Sequence, residues 1–198
     1  MAILDIRVLG DPILREQTVP VEAVTDALRS FINDMFETMY AAEGIGLAAP
    51  QVGRRERVAV VDVDDRPLVL VNPEIVARGG SAKAEEGCLS IPEIFGSVER
   101  AERVTVRAVD RDGVAFELEA EGLLARCIQH EIDHLDGKLF IDYLSMLKRR
   151  SVAKAWDKEV QQYPNFIRDL ARELAEDTKR SRRSKSRERD GAATPPIE

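Results

Sequence analysis

Gly122-Leu123-Leu124-Ala125-Arg126-Cys127-Ile128-Gln129-His130-Glu131-Ile132-Asp133-His134-Leu135 decides how this chain is read. Leu123, Leu124, Cys127, Ile128 and Leu135 recur at helical spacing, which predicts a largely buried helix. Both histidines of the 198-residue chain lie in its last turns. Residues four apart share a helix face, so His130 and His134 can direct two imidazoles at one ion while Glu131 stands beside them as a general base.

Two histidines cannot hold a catalytic metal, which usually takes three protein ligands and leaves one position open. A metzincin would need another histidine at position 140, which is Phe140. A thermolysin-like site would need a downstream carboxylate, for which Glu159 is the candidate. Cys127 sits on the right face, but the ion should lie level with Ile132, roughly 7 to 8 Å further along the axis. That is too far for a cysteine and a Zn–S bond of about 2.3 Å, so Cys127 reads as wall. Cys88, in Glu85-Glu86-Gly87-Cys88-Leu89-Ser90-Ile91-Pro92, is the better third ligand because Gly87 and Pro92 mark a shaped backbone.

Upstream, Thr25-Asp26 followed by Leu28, Phe31, Ile32, Met35, Phe36 and Met39 predicts an amphipathic helix ending near Gly44. Residues 58–63, 68–71, 104–109 and 114–118 are short β-branched runs between turn formers and are read as antiparallel strands. A helix is expected from about Ser145 to Gln162, then a short one through Leu170 and Leu174. The fold class is α+β, with antiparallel strands packed around a buried metal-binding helix and a C-terminal helix. Residues 1–178 are expected to form one catalytic domain. Residues 179–198 read as a disordered basic tail, since they lack the apolar side chains needed to offset ordering entropy.

The net charge of −7 excludes bulk attraction to DNA. From Thr178 onward seven Lys or Arg face three acids, so the remainder carries about −11. The N-terminus places charges where a secretory signal needs an apolar run, and no stretch reaches membrane-spanning length. A cytoplasmic location with free thiols is expected.

Gly44-Ile45-Gly46-Leu47-Ala48-Ala49-Pro50-Gln51-Val52-Gly53 imitates a dinucleotide loop, but it follows a helix and precedes a strand, the reverse of the required context. Either it is a tight turn, or its glycines let backbone approach a ligand while Gln51 offers an amide to an oxyanion.

The segments 44–53, 86–92 and 129–137, with Gly10-Asp11-Pro12-Ile13-Leu14-Arg15, together resemble peptide deformylases over residues 3–150. The resemblance implies that Cys88, His130 and His134 bind one divalent metal, Fe(II) in the cell, with Zn(II) or Ni(II) also compatible. It implies that Glu131 handles the proton and that the Leu89 backbone N–H and the Gln51 amide stabilise the oxyanion. Ile45, Gly46, Glu86, Leu123, Arg126 and Cys127 would bind the substrate, an N-formylmethionyl peptide. A thiolate and two imidazoles leave the ion at net +1, a weaker Lewis acid than a three-histidine site, which explains the need for Glu131.

Two residues depart from the family pattern. Arg126 replaces an aliphatic residue, and is expected to line the pocket with its stem while its guanidinium reaches water. Phe95 stands where some members have arginine. Glu43, Arg100 and Asp133 read either as an ion-pair network behind the site or as ordinary surface charges. A monomer is expected, without membrane partners, and the basic tail is a candidate contact for the ribosome. The competing readings are a structural metal site, which would need a fourth protein ligand, and a Glu159-dependent protease.

Overall fold

In the computed structural model, which describes residues 2–191 with side chains through Arg180, β1 (Ile6–Arg7) leads to α1 (Asp26–Ala41) and β2 (Gly46–Ala48). Then come β3 (Val58–Asp62), β4 (Pro67–Gly79), β5 (Ala82–Cys88), β6 (Ile91–Arg100), β7 (Arg103–Val109) and β8 (Ala115–Glu121). These are followed by α2 (Gly122–Leu135), α3 (Met146–Glu159), β9 (Ile167–Arg168) and α4 (Leu170–Gly191).

The α+β expectation holds. β2, β3, β4, β7 and β8 form an antiparallel sheet in that order, β5 and β6 form a separate hairpin, and β1 pairs with β9. Ala59, Val61, Leu70, Val104 and Val106 of the larger sheet pack against Ile128, Ile132 and Leu135 of α2. Each Val, Leu or Ile side chain among them taken out of water contributes about 1.5–3 kcal/mol. Gln129 pins α2 further, donating to Ala101 O at 2.9 Å and accepting from Ala101 N at 3.2 Å. α2 must stop at Gly137, whose φ of +71° suits glycine and where a Cβ would sit 2.6 Å from Arg15 O.

α1 begins as expected, with the Thr25 hydroxyl accepting from Leu28 N at 3.2 Å, and it buries Leu28, Phe31, Ile32, Met35 and Met39. The β5–β6 hairpin was not foreseen. β5 reads Ala-Lys-Ala-Glu-Glu-Gly-Cys and buries only Glu86, so it shows no apolar alternation. Its partner supplies the burial, as Ile91, Ile94 and Val98 of β6 pack against Leu139, Phe140, Leu144 and Trp156.

Across the first part of the segment read as a tail, α4 carries helix as far as Gly191. Asp169 accepts from Arg172 N at 2.9 Å to start it, and no glycine or proline interrupts a run rich in good helix formers. Residues 192–198 of the expected tail lie outside the described residues. No helix among the described residues is long and apolar enough to cross a membrane.

Candidate metal centre and substrate cleft

α2 presents His130 and His134 one turn apart, and the end of β5 brings Cys88 to them. One donor atom from each of the three lies within 4.8 Å of the others, and Cys88 Sγ is 3.2 Å from His134 Nε2. A β-bulge between Glu86 and Cys88 re-aims the cysteine here. Among the described residues the group has no fourth protein donor, as an open catalytic site requires. Glu159 stays outside it, at the rim of the cleft, accepting from Gln162 Nε2 at 2.6 Å. Cys127 is wall, its thiol 3.4 Å from Ile45 O and pushed up by burial so that it stays protonated.

The donors fit a borderline-soft divalent ion, since sulfur and imidazole nitrogen are what such ions prefer. Burial holds His134 well below the ordinary imidazole value, leaving it neutral with a lone pair to give. For His130 burial opposes a charge, but hydrogen bonds with Cys88 and Glu86 outweigh it and raise its proton affinity. An incoming ion must displace that proton, so binding weakens on acidification.

Glu86 orients His130, with its Oε2 3.1 Å from His130 Nδ1, which leaves Nε2 for a ligand. The same carboxylate accepts from Arg100 at 2.6 and 2.9 Å and from Arg126 Nη1 at 2.6 Å. Burial works against its ionisation, yet His130 and Arg100 hold it down to about 2. Arg100 also bonds Asp133 at 2.7 Å, and the Tyr143 hydroxyl donates to Asp133 at 2.8 Å. The ion-pair network therefore exists, but with Glu86 in it. Glu43 forms no ion pair among the described residues.

Arg126 corrects an expectation. Its guanidinium does not reach water but turns inward, donating to Glu86, to Val98 O at 3.1 Å and to Ala82 O at 2.7 Å. A nearby carboxylate and two strand carbonyls supply partners that its place in the sequence does not reveal.

Glu131 is 4% exposed, and burial raises its carboxyl to about 7. Its Oε2 has no partner among the described residues, an arrangement that calls for a proton donor from a ligand. Gln51 is preset, accepting from Ala48 N at 2.8 Å through Oε1 while Nε2 points to Ser90 Oγ at 3.3 Å and Cys88 Sγ at 3.6 Å. Leu89 occupies the turn between β5 and β6 beside Gly44, where a Cβ would meet Leu89 Cδ1 at 2.8 Å. Tyr143 and Ser90 escaped the sequence reading, and nothing in their local pattern marks them.

Gly46 is needed for a different reason than a turn. A Cβ there would overlap Glu131, whose Cδ would lie at 2.9 Å, and Cys127 Sγ at 2.8 Å. Gly46→Ala is expected to destabilise the fold by about 1–3 kcal/mol and to displace the Glu131 carboxylate. Urea unfolding and formate release of that variant check this, and unchanged values in both would contradict it.

A cleft of about 900 Å³ opens beside these groups. Ile45 and Leu123 stand exposed at its mouth, Arg126, Cys127 and Glu86 line it deeper, and Phe95 lies on its outer wall with its ring over Gly87. All six residues read as substrate-binding border this site: Gly46 too lines the cleft.

A family model described as polypeptide deformylase matches residues 3–150. The chain belongs to the peptide deformylase family. The peptide deformylase of Alkalilimnicola ehrlichii is 58% identical over 166 residues, 82% of this chain and 93% of that one. The crystal structure of a peptide deformylase from Legionella pneumophila superposes with a TM-score of 0.78 at 51% identity, covering 81% of this chain and 97% of that chain. A peptide deformylase from Synechococcus elongatus, solved in complex with actinonin, gives 0.74 at 48% identity over 78% and 85% of the two chains. Members of the family are metal-dependent enzymes that remove the formyl group from nascent polypeptides, and the donor set of Cys88, His130 and His134 suits that dependence.

Proposed function

We propose that this centre hydrolyses the formamide of N-formylmethionyl peptides to formate and a free amine, with Cys88, His130 and His134 holding one divalent ion. The observation that carries the reading is the convergence of these three donors beside a buried carboxylate, Glu131, that lacks a partner. A divalent ion bound there supplies Lewis acidity, acidifying water and polarising the formyl carbonyl. Fe(II) is the resident ion in this proposal, and Zn(II) or Ni(II) suits the same donors.

Glu131 takes the proton from the attacking water and delivers it to the departing amine. The Gln51 amide and the Leu89 backbone N–H donate to the oxygen on which charge develops. Ile45, Leu123, Cys127 and the stem of Arg126 give the methionine side chain an apolar wall. The chain acts as one catalytic domain and as a monomer in the cytoplasm, where nascent chains emerge. The basic segment from Lys179 onward contacts ribosomal phosphates, in which case deleting 179–198 weakens salt-dependent ribosome binding, and unchanged binding sinks this part.

Formate release from formyl-Met-Ala-Ser, with acetyl-Met-Ala-Ser beside it, tests the reaction. Anaerobically prepared, Fe(II)-loaded protein is expected to cleave only the formyl peptide. Metal-replete protein that releases no formate overturns the reading.

A further inference from the structure

The three metal donors come from two elements that no short segment joins: His130 and His134 from α2, Cys88 from the β5–β6 hairpin. We propose that Arg126 is a positioning residue that clamps these two elements together and thereby sets the geometry of the metal centre, an inference that rests on the metal-site reading above. Arg126 lies on α2, one helical turn before His130. Its guanidinium donates to Ala82 O and Glu86 Oε1 on β5 and to Val98 O on β6, so one side chain spans both strands of the hairpin.

The planar fork of an arginine is what such a three-way bond requires, since its N–H groups diverge in fixed directions. Glu86 makes the clamp reach the centre. Its Oε1 is shared by Arg126 and Arg100, and its Oε2 faces His130 Nδ1. Fixing the carboxylate therefore fixes the ring whose other nitrogen would hold the ion, and Cys88 follows two residues beyond Glu86 on the same strand. Arg126 itself touches no metal donor in these contacts, which separates positioning from ligation.

Charge and positioning make opposite predictions. Arg126 is a cation beside a cation site, so if it acted only through charge its removal would strengthen metal binding. If it acts as a clamp, its removal weakens binding, as loss of a group that orients a ligand typically does by roughly 10–100-fold. Arg126→Met keeps an apolar stem and removes the head. Arg126→Lys keeps the charge but gathers its donors on one nitrogen, which cannot reach all three acceptors.

The experiment is chelator competition for Zn(II) on full-length protein, with circular dichroism confirming the fold. Arg126→Met and Arg126→Lys are both expected to bind Zn(II) at least about 10-fold more weakly than wild type. Tighter binding by Arg126→Met, or wild-type binding by Arg126→Lys, overturns the clamp. Should Arg126→Met fail to fold, Arg126→Lys decides alone. Formate release by wild type is read separately: unchanged Zn(II) affinity in the variants with active wild type defeats only this inference, whereas weakened affinity with inactive wild type defeats only the proposed reaction.

Discussion

Glu131→Gln is expected to lower kcat for formate release roughly 100- to 10,000-fold, the range that general acid–base catalysis supplies. The substitution preserves size, so the close packing against Gly46 and Cys127 remains and the metal donors keep their places. Metal content should therefore match wild type, and the loss should fall on kcat. A pH profile adds a second check. Burial raises the Glu131 carboxyl to about 7, so below that pH the metal-free site holds a protonated acid that cannot accept a proton. A bound cation favours the carboxylate and moves the titration down. The wild-type kcat/KM should thus fall on acidification, with a midpoint between the usual carboxylate range and about 7. Full activity of Glu131→Gln with retained metal would remove Glu131 from the chemistry.

Cys88→Ala is expected to abolish tight metal binding, weakening it by more than the roughly 10–100-fold that losses outside the ligand set cause. Two imidazoles from one helix remain, and they offer neither the third donor nor the thiolate charge. Activity falls with the metal. Glu159→Ala is the matched control, because Glu159 lies at the rim and bonds Gln162 rather than the donor group. Equilibrium dialysis against Zn(II) separates the cases. Normal binding by Cys88→Ala together with loss in Glu159→Ala would restore the protease arrangement weighed from the sequence.

The parts of this site that the sequence made legible are those carried by one periodic element. α2 declares itself through its apolar spacing and its two histidines, and α1 through its Thr25 cap and buried stripe. The strands with β-branched alternation were equally readable. The β5–β6 hairpin was not, because β5 gains its burial from charged Glu86 and from its neighbours, which no local hydrophobic pattern records. The direction of Arg126 was hidden for the same reason: an arginine on a helix ordinarily extends to solvent, and only the folded hairpin shows three acceptors waiting inward. Beyond residue 178 the same Arg, Lys and Glu that suggest a tail are also good helix formers, and α4 runs on through them to Gly191.

Metal titration of chelator-stripped protein tests the central claim most directly. Formate release from formyl-Met-Ala-Ser should be absent after stripping, rise in proportion to added Fe(II) under anaerobic conditions, and saturate at about one ion per chain. Stripped protein that retains its rate would contradict the account.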